Sequence, residues 1–266
     1  MIDFNSGGIL NNDKRNFSLE EAHKLLGSAT TRPATFQYPN IPQVYQKNYP
    51  ACGAHAGVHF KEIQELEETG VARKLSPAFF WKKIKLIDGY KPEEGTDMQS
   101  IFKVMMKDGV CGYDLLPNRY TETLKEYTDA SVVTKEMEED AQPLIISSYA
   151  FATDLSFENL KTQIWLNKEV LLLIQCDNGF FGRIKSIFTK RPYGHFVVAC
   201  GYDEEGIWVI DSTEIEYPYK YFENKYAPFV IQAGTAIDLP NDIIKKLQLK
   251  ISLLTKLLDL WKQLLY

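Results

Sequence analysis

The apolar pattern of the chain changes period near Pro143, and any fold must reconcile the two kinds of text on either side of it. Upstream, apolar residues recur every three or four positions, the spacing of an amphipathic helix. From Ala51 this pattern runs to about Thr69, with His59, Ile63 and Leu66 at helical spacing and Gly70 as the stop. SPAFFWKKIKL (76–86) and GTDMQSIFKVMMKDG (95–109) predict two further helices, the second bounded by glycine at each end. Downstream, EVLLLIQC (169–176), HFVVACGY (195–202) and GIWVIDS (206–212) are short, apolar or β-branched runs between turn residues, with one helical stretch, SFENLKTQIWL, before them. DEEG (203–206) joins the last two runs as a hairpin turn. Helices first and antiparallel strands later specify an α+β class with a helical lobe, a sheet-rich lobe and a site expected in the cleft between them.

The remaining text adds two appendages. Residues 1–41 are polar and punctuated by Gly, Asn and Pro, apart from SLEEAHKLL, where Ser18 and Glu21 form a capping box, so they read as an arm. Residues 42–238 form the main domain, and residues 239–266 a C-terminal amphipathic helix. In that tail Ile244, Leu247, Ile251, Leu254, Leu258, Trp261 and Leu265 make an a/d seam of about three heptads. Five lysines exclude a membrane span and leave self-association, packing on the body, or membrane-surface contact through residues 241–266. A chain of 266 residues with 45% hydrophobic content buries a substantial core. A net charge of -5 offers no basic face for nucleic acid. Four cysteines at scattered positions read as reduced thiols, and the stretch after Met1 lacks a basic start and an apolar signal core, so a cytoplasmic location is expected.

Gln46, Cys52, His195 and Asp211 carry the chemistry. A cysteine in the first turn of a helix is placed where the helix dipole favours its thiolate. A histidine opening one apolar run and an acid closing the next supply a base and an orienter, and a glutamine six residues before the cysteine is a candidate oxyanion donor. Each residue alone has a plainer reading, since cysteine and histidine are often simply buried.

Several segments carry a resemblance: PQVYQKNYPACGAHAGVHFKEIQELE, LSPAFFW, GTDMQSIFKVMMKDGVCGYDLLP and GHFVVACGYDEEGIWVIDS, spread in order from Pro42 to Ser212. Together they resemble a papain-like cysteine peptidase, especially the bacterial and phage-type members with short leaders. The resemblance implies a two-lobe papain-like fold and hydrolysis of polypeptide substrates through a thioester, without metal or organic cofactor. It implies Cys52 as nucleophile, His195 as base, Asp211 where the family usually has asparagine, and Gln46 with the Cys52 N–H as oxyanion donors. Glu62 and Leu75–Pro77 match positions that are structural in the family. An arm ending before Pro42 is shorter than the family's usual inhibitory propeptide, yet it could lie in the cleft.

The sequence also departs from that pattern. Pro50-Ala51 stands where glycine-serine is usual, Gly53 replaces a bulky aromatic, and Thr213 replaces the tryptophan that covers the orienter. A rival register of CGAH would put His55 at the nucleophile position and make the protein an inactive binding module. Only the Cys52 register keeps Gln46 six residues upstream. His55 and His59 share a helix face, a metal-site spacing that lacks further ligands, so core histidines are expected. DNGFFGRIKSIFTKRPYG (177–194) is either a surface excursion or a cleft rim. An amidase or acyltransferase on the same triad, and an assembly factor working through the tail, remain alternatives to the peptidase.

Overall fold

The computed structural model describes residues 7–10, 18–20, 22, 31–37, 41–42, 44–119, 121–175, 194–213 and 219–236. The heptad tail, Cys176 and the segment 177–193 lie outside the described residues, as does most of SLEEAHKLL, of which Leu19 and Ala22 pack against Ala150.

Helix α1 (Cys52–Thr69) is the axis of the molecule, and its first fourteen residues are buried. It ends where Gly70 adopts φ 72° and returns its N–H to Leu66 O, the left-handed stop that glycine permits. Its start is packed so tightly that a Cβ on Gly53 would run into the side chains of Thr96, Ile101 and Phe196. The charged residues of this buried helix are paired: Lys61 with Glu65 at 2.9 Å, and His59 with Glu62 at 2.9 Å. The other Glu62 oxygen accepts the Leu75 N–H at 2.8 Å, tying α1 to the segment that begins the next helix.

Helix α2 (Pro77–Lys85) begins as its sequence dictates, with the Ser76 hydroxyl accepting the Phe79 N–H at 3.0 Å and proline in the first turn. Helix α3 (Met98–Lys107) is capped in the same way by Asp97, which accepts the Ser100 N–H at 3.0 Å. Two short helices, α4 (Leu124–Thr128) and α5 (Lys135–Ala141), follow on threonine caps. Helix α6 (Phe157–Asn167) starts at Ser156 and lies against the far side of the sheet.

Strands β1 (Gly8–Ile9), β2 (Thr96–Asp97), β3 (Tyr149–Phe151), β4 (Val170–Gln175), β5 (Gly194–Tyr202), β6 (Gly206–Ile210), β7 (Tyr219–Glu223) and β8 (Val230–Ala236) form one mainly antiparallel sheet. Its main path is β2-β1-β5-β4-β8-β3, with β6 and β7 branching from β5. Strand β5 shares one side between partners: Gly194 pairs with Gly8 of β1, whereas Val198 to Tyr202 pair with β6. Strands β4 and β5 read as continuous apolar runs because both faces are covered. Leu171, Leu173, Phe196 and Val198 face the core built around α1, while Leu172, Val197 and Ala199 face α6.

The fold is therefore α+β, with helices gathered around α1 and strands following, and the hairpin at 203–206 joins β5 to β6. Ser76 joins two parts of the helical region, because it also donates its hydroxyl to Leu116 O. Ser76→Ala should lower stability by about 1–2 kcal/mol in urea denaturation, with Ser76→Thr recovering part of the loss.

Candidate active site

Cys52 is the first residue of α1 and is completely buried. Its sulfur is within hydrogen-bonding reach of the His195 side chain and of the backbone N–H groups of Phe196 and Gly7. His195 is the second residue of β5, and its Nε2–H donates to Asp211 Oδ1 at 2.9 Å, so the other ring nitrogen serves the cysteine. Asp211 follows β6 and is fully buried. Besides His195, Oδ1 accepts the Thr213 N–H at 2.9 Å and the Thr213 hydroxyl at 2.8 Å, while Lys220 Nζ stands 2.7 Å from Oδ2.

Gln46 is tied into the same turn through Ser212. Its N–H donates to Ser212 O at 2.9 Å, and its Oε1 accepts the Ser212 hydroxyl at 2.7 Å. With Oε1 taken, the amide orientation is fixed, and Nε2 gives one hydrogen to Tyr49 O at 3.1 Å while keeping a second. The next residue, Lys47, has φ 56°, a left-handed value unusual for a side chain of this kind. Stacking of Tyr49 on Tyr127, with ring centroids 4.2 Å apart, anchors the segment.

The electrostatics follow from this geometry. Burial pushes the Cys52 thiol up, but the hydrogen bond and charge of His195, with the two backbone N–H groups, outweigh it and hold the thiol below its ordinary value. Burial alone would lower His195, yet the charge and hydrogen bond of Asp211, then those of Cys52, raise it to about 10. Burial likewise opposes the Asp211 carboxylate, and the cations of His195 and Lys220 hold it well below the usual range. The arrangement favours a thiolate–imidazolium pair braced by a carboxylate. Burial, with Asp140 or Glu169 nearby, pushes Cys111 and Cys200 in the other direction, to about 12.

The N-terminal arm reaches this site. Thr96 N–H donates to Gly7 O at 2.6 Å, and Gly8 is paired in parallel with Thr96 and antiparallel with Gly194. Gly8 and Ile9 thus lie as an added strand between the helical region and the residue before His195. Only backbone fits there: a Cβ on Gly8 would strike Leu173 and Gly194, and one on Gly95, itself at φ 84°, would strike Gly7. A second tie lies further along the arm. The Glu20 carboxylate accepts the Thr153 N–H at 3.0 Å, the Thr153 hydroxyl at 2.8 Å and an Asn159 amide hydrogen at 3.0 Å. Burial works against its charge, but these hydrogen bonds bring it down to about 2.

The structure brings Cys52, not His55, to His195. His55 Nδ1 is 2.9 Å from Val44 O and its Nε2 is 3.3 Å from Asn118 Nδ2, both inside the helical core. Its own burial, with His59 beside it, lowers it to about 3, so it sits there as a neutral ring. No group of three or more metal-ligating side chains is found among the described residues.

No family model and no curated protein matches the sequence. Solved structures do. Xylellain, a cysteine protease from Xylella fastidiosa, superposes with a TM-score of 0.70 over 90% of this chain and 98% of its own, at 18% identity. Digestive procathepsin L2 proteinase from Tenebrio molitor larval midgut gives 0.69 over 89% and 79%, at 15% identity. Digestive procathepsin L 3 from the same tissue gives 0.64 over 88% and 77%, at 13% identity. The chain has the papain-like fold. Glu62 and Leu75, two positions the sequence reading took as structural, are joined by a hydrogen bond from the Leu75 N–H. Where the family's tryptophan is missing, Thr213 and Lys220 bond Asp211, which stays fully buried.

Lys220 and the pairing of Gly7 and Gly8 escaped the reading of the sequence. Lys220 interrupts the aromatic run Tyr219 to Phe222, and only the strand register brings it to Asp211. Removing residues 1–10 should expose Cys52 and increase its alkylation by iodoacetamide severalfold, read by peptide mass spectrometry. In that truncated protein Cys52 should react at neutral pH well ahead of Cys111 and Cys200. Since His195 is what draws the Cys52 pKa down against burial, His195→Ala should move the alkylation profile to higher pH.

Proposed function

We propose that the chain is a thiol peptidase of the papain type, with Cys52 as nucleophile, His195 as acid and base, Asp211 as orienter and Gln46 as oxyanion donor. The observation that carries this reading is the unbroken chain of contacts from Cys52 at the helix start, through His195, to a buried Asp211.

In acylation the Cys52 thiolate attacks the peptide carbonyl, and the tetrahedral oxyanion is met by the Gln46 amide and the Cys52 N–H. The imidazolium of His195 then gives its proton to the leaving amine as the C–N bond breaks, which leaves a thioester and neutral imidazole. In deacylation His195 takes a proton from water, the resulting hydroxide adds to the thioester, and the C–S bond breaks to return a carboxylic acid product and the thiolate.

A tightly buried cysteine needs an explanation in this reading, and the arm supplies one. The Gly7 N–H bears on the thiol and the arm continues into β1 beside it, so the form with the arm in place is the resting one and its displacement the activating event. The two nucleophile registers make opposite claims about Cys52, and its contact with His195 favours the active one.

An epoxysuccinyl probe tests the reading directly. With the arm removed, Cys52 should be modified in the wild-type protein and spared in His195→Ala, and an unmodified Cys52 in folded protein would overturn the assignment. Hydrolysis of casein or a fluorogenic peptide should vanish in Cys52→Ala. Gln46→Ala should lower kcat by roughly 10²–10³-fold with little change in KM, the signature of an interaction made in the transition state.

A further inference from the structure

Asp211 is a charged residue doing a task that needs only a hydrogen-bond acceptor. Its Oδ1, 2.9 Å from His195 Nε2, favours the imidazolium throughout the cycle. That helps acylation, which starts from thiolate and imidazolium. It opposes deacylation, where the thiolate has become a thioester and His195 must be neutral to accept a proton from water. A lone buried carboxylate would hold that proton in place.

The carboxylate is not alone. Lys220 Nζ lies 2.7 Å from Oδ2, on the other side of the same group. Lys220 stands opposite Val209 in the β6–β7 ladder, two residues short of Asp211, so the diagonal neighbour across the strands reaches the acid. It also approaches the Thr213 hydroxyl at 3.4 Å, the hydroxyl that itself donates to Oδ1. The charged groups bearing on Asp211 are His195 from β5 and Lys220 from β7; those bearing on His195 are Asp211 and Cys52 from α1.

We infer that Lys220 is a positioning residue that moderates the basicity of His195: by sharing the Asp211 carboxylate it draws off part of the charge that would otherwise act on the imidazole alone. Its kinetic consequence rests on the peptidase reading, but its electrostatic content does not.

The direct test is NMR titration of His195 in the full chain carrying Cys52→Ala, which removes the thiolate charge as acylation does. Lys220→Met should raise the His195 midpoint by about one pH unit or more, equivalent to about a tenfold change in proton affinity. Adding Asp211→Asn to Lys220→Met should bring the midpoint back toward that of the Lys220 protein. Lys220→Arg, which keeps the charge, should leave it in place, and Lys220→Gln replaces Lys220→Met if the latter does not fold. A midpoint that ignores Lys220→Met, or one that Asp211→Asn fails to lower in that background, overturns the inference.

With Cys52 present, the deacylation limb of an activated ester substrate should move to higher pH in Lys220→Met and return in the double variant. A protein that ignores the epoxide probe but shows the shifted titration would sink the peptidase reading and leave the role of Lys220 standing. The converse result would do the opposite.

Discussion

A helix buried along most of its length is the constraint on which this structure depends. Helix α1 has no exposed face in its first fourteen residues, so the helical region must close over it on one side and strand β5 on the other. Such a helix cannot carry a free charge, and the pairs Lys61–Glu65 and His59–Glu62 meet that requirement internally. The absence of a Cβ at Gly53 lets the start of α1 settle against Phe196. That settling is also what brings Cys52 within reach of the residue before Phe196, which is His195. Packing and chemistry are therefore one event: a bulkier residue beside the cysteine would lift the helix start away from the strand carrying its partner.

The site is organised by layers of support. Cys52 depends on His195, His195 on Asp211, and Asp211 on Thr213 and Lys220. Gln46 enters from a separate segment but is held by Ser212, the residue between Asp211 and Thr213. Three consecutive residues thus fix both the candidate orienter and the candidate oxyanion donor. Such sharing gives accuracy, because one short turn aligns two functional groups with no adjustable link between them.

Much of this was legible in the sequence, and the parts that were not share physical reasons. Helices α1, α2, α3 and α6 announced themselves by period, and Gly70 marked the end of α1; α3 runs only from Met98 to Lys107, inside the glycines at 95 and 109 that bounded its pattern, because Asp97 caps it. Strands β4, β5 and β6 were visible as apolar runs. Strands β1 and β2 span two residues each and cannot show a period, while β8, VIQAGTA, is diluted by small residues. The short helices α4 and α5 rest on threonine caps in polar text that has no apolar stripe to reveal them. Cys52, His195, Asp211 and Gln46 could be picked out as candidates because their residue types are chemically distinctive. Lys220 was not, because its meaning comes from a diagonal contact across two strands, a matter of register that one-dimensional text does not contain.

The arm over Cys52 is held by main-chain hydrogen bonds at Gly7 and Gly8 and by a carboxylate tie at Glu20. Because it is covalently attached, its concentration at the site is set by the tether and does not fall on dilution, and such effective concentrations reach the millimolar range for short links. Any molecule arriving from solution competes against that fixed value. Apparent affinities measured on the intact chain would then report the strength of the tether as much as the fit of the newcomer, and two proteins identical at the site but differing in this arm would appear to prefer different ligands.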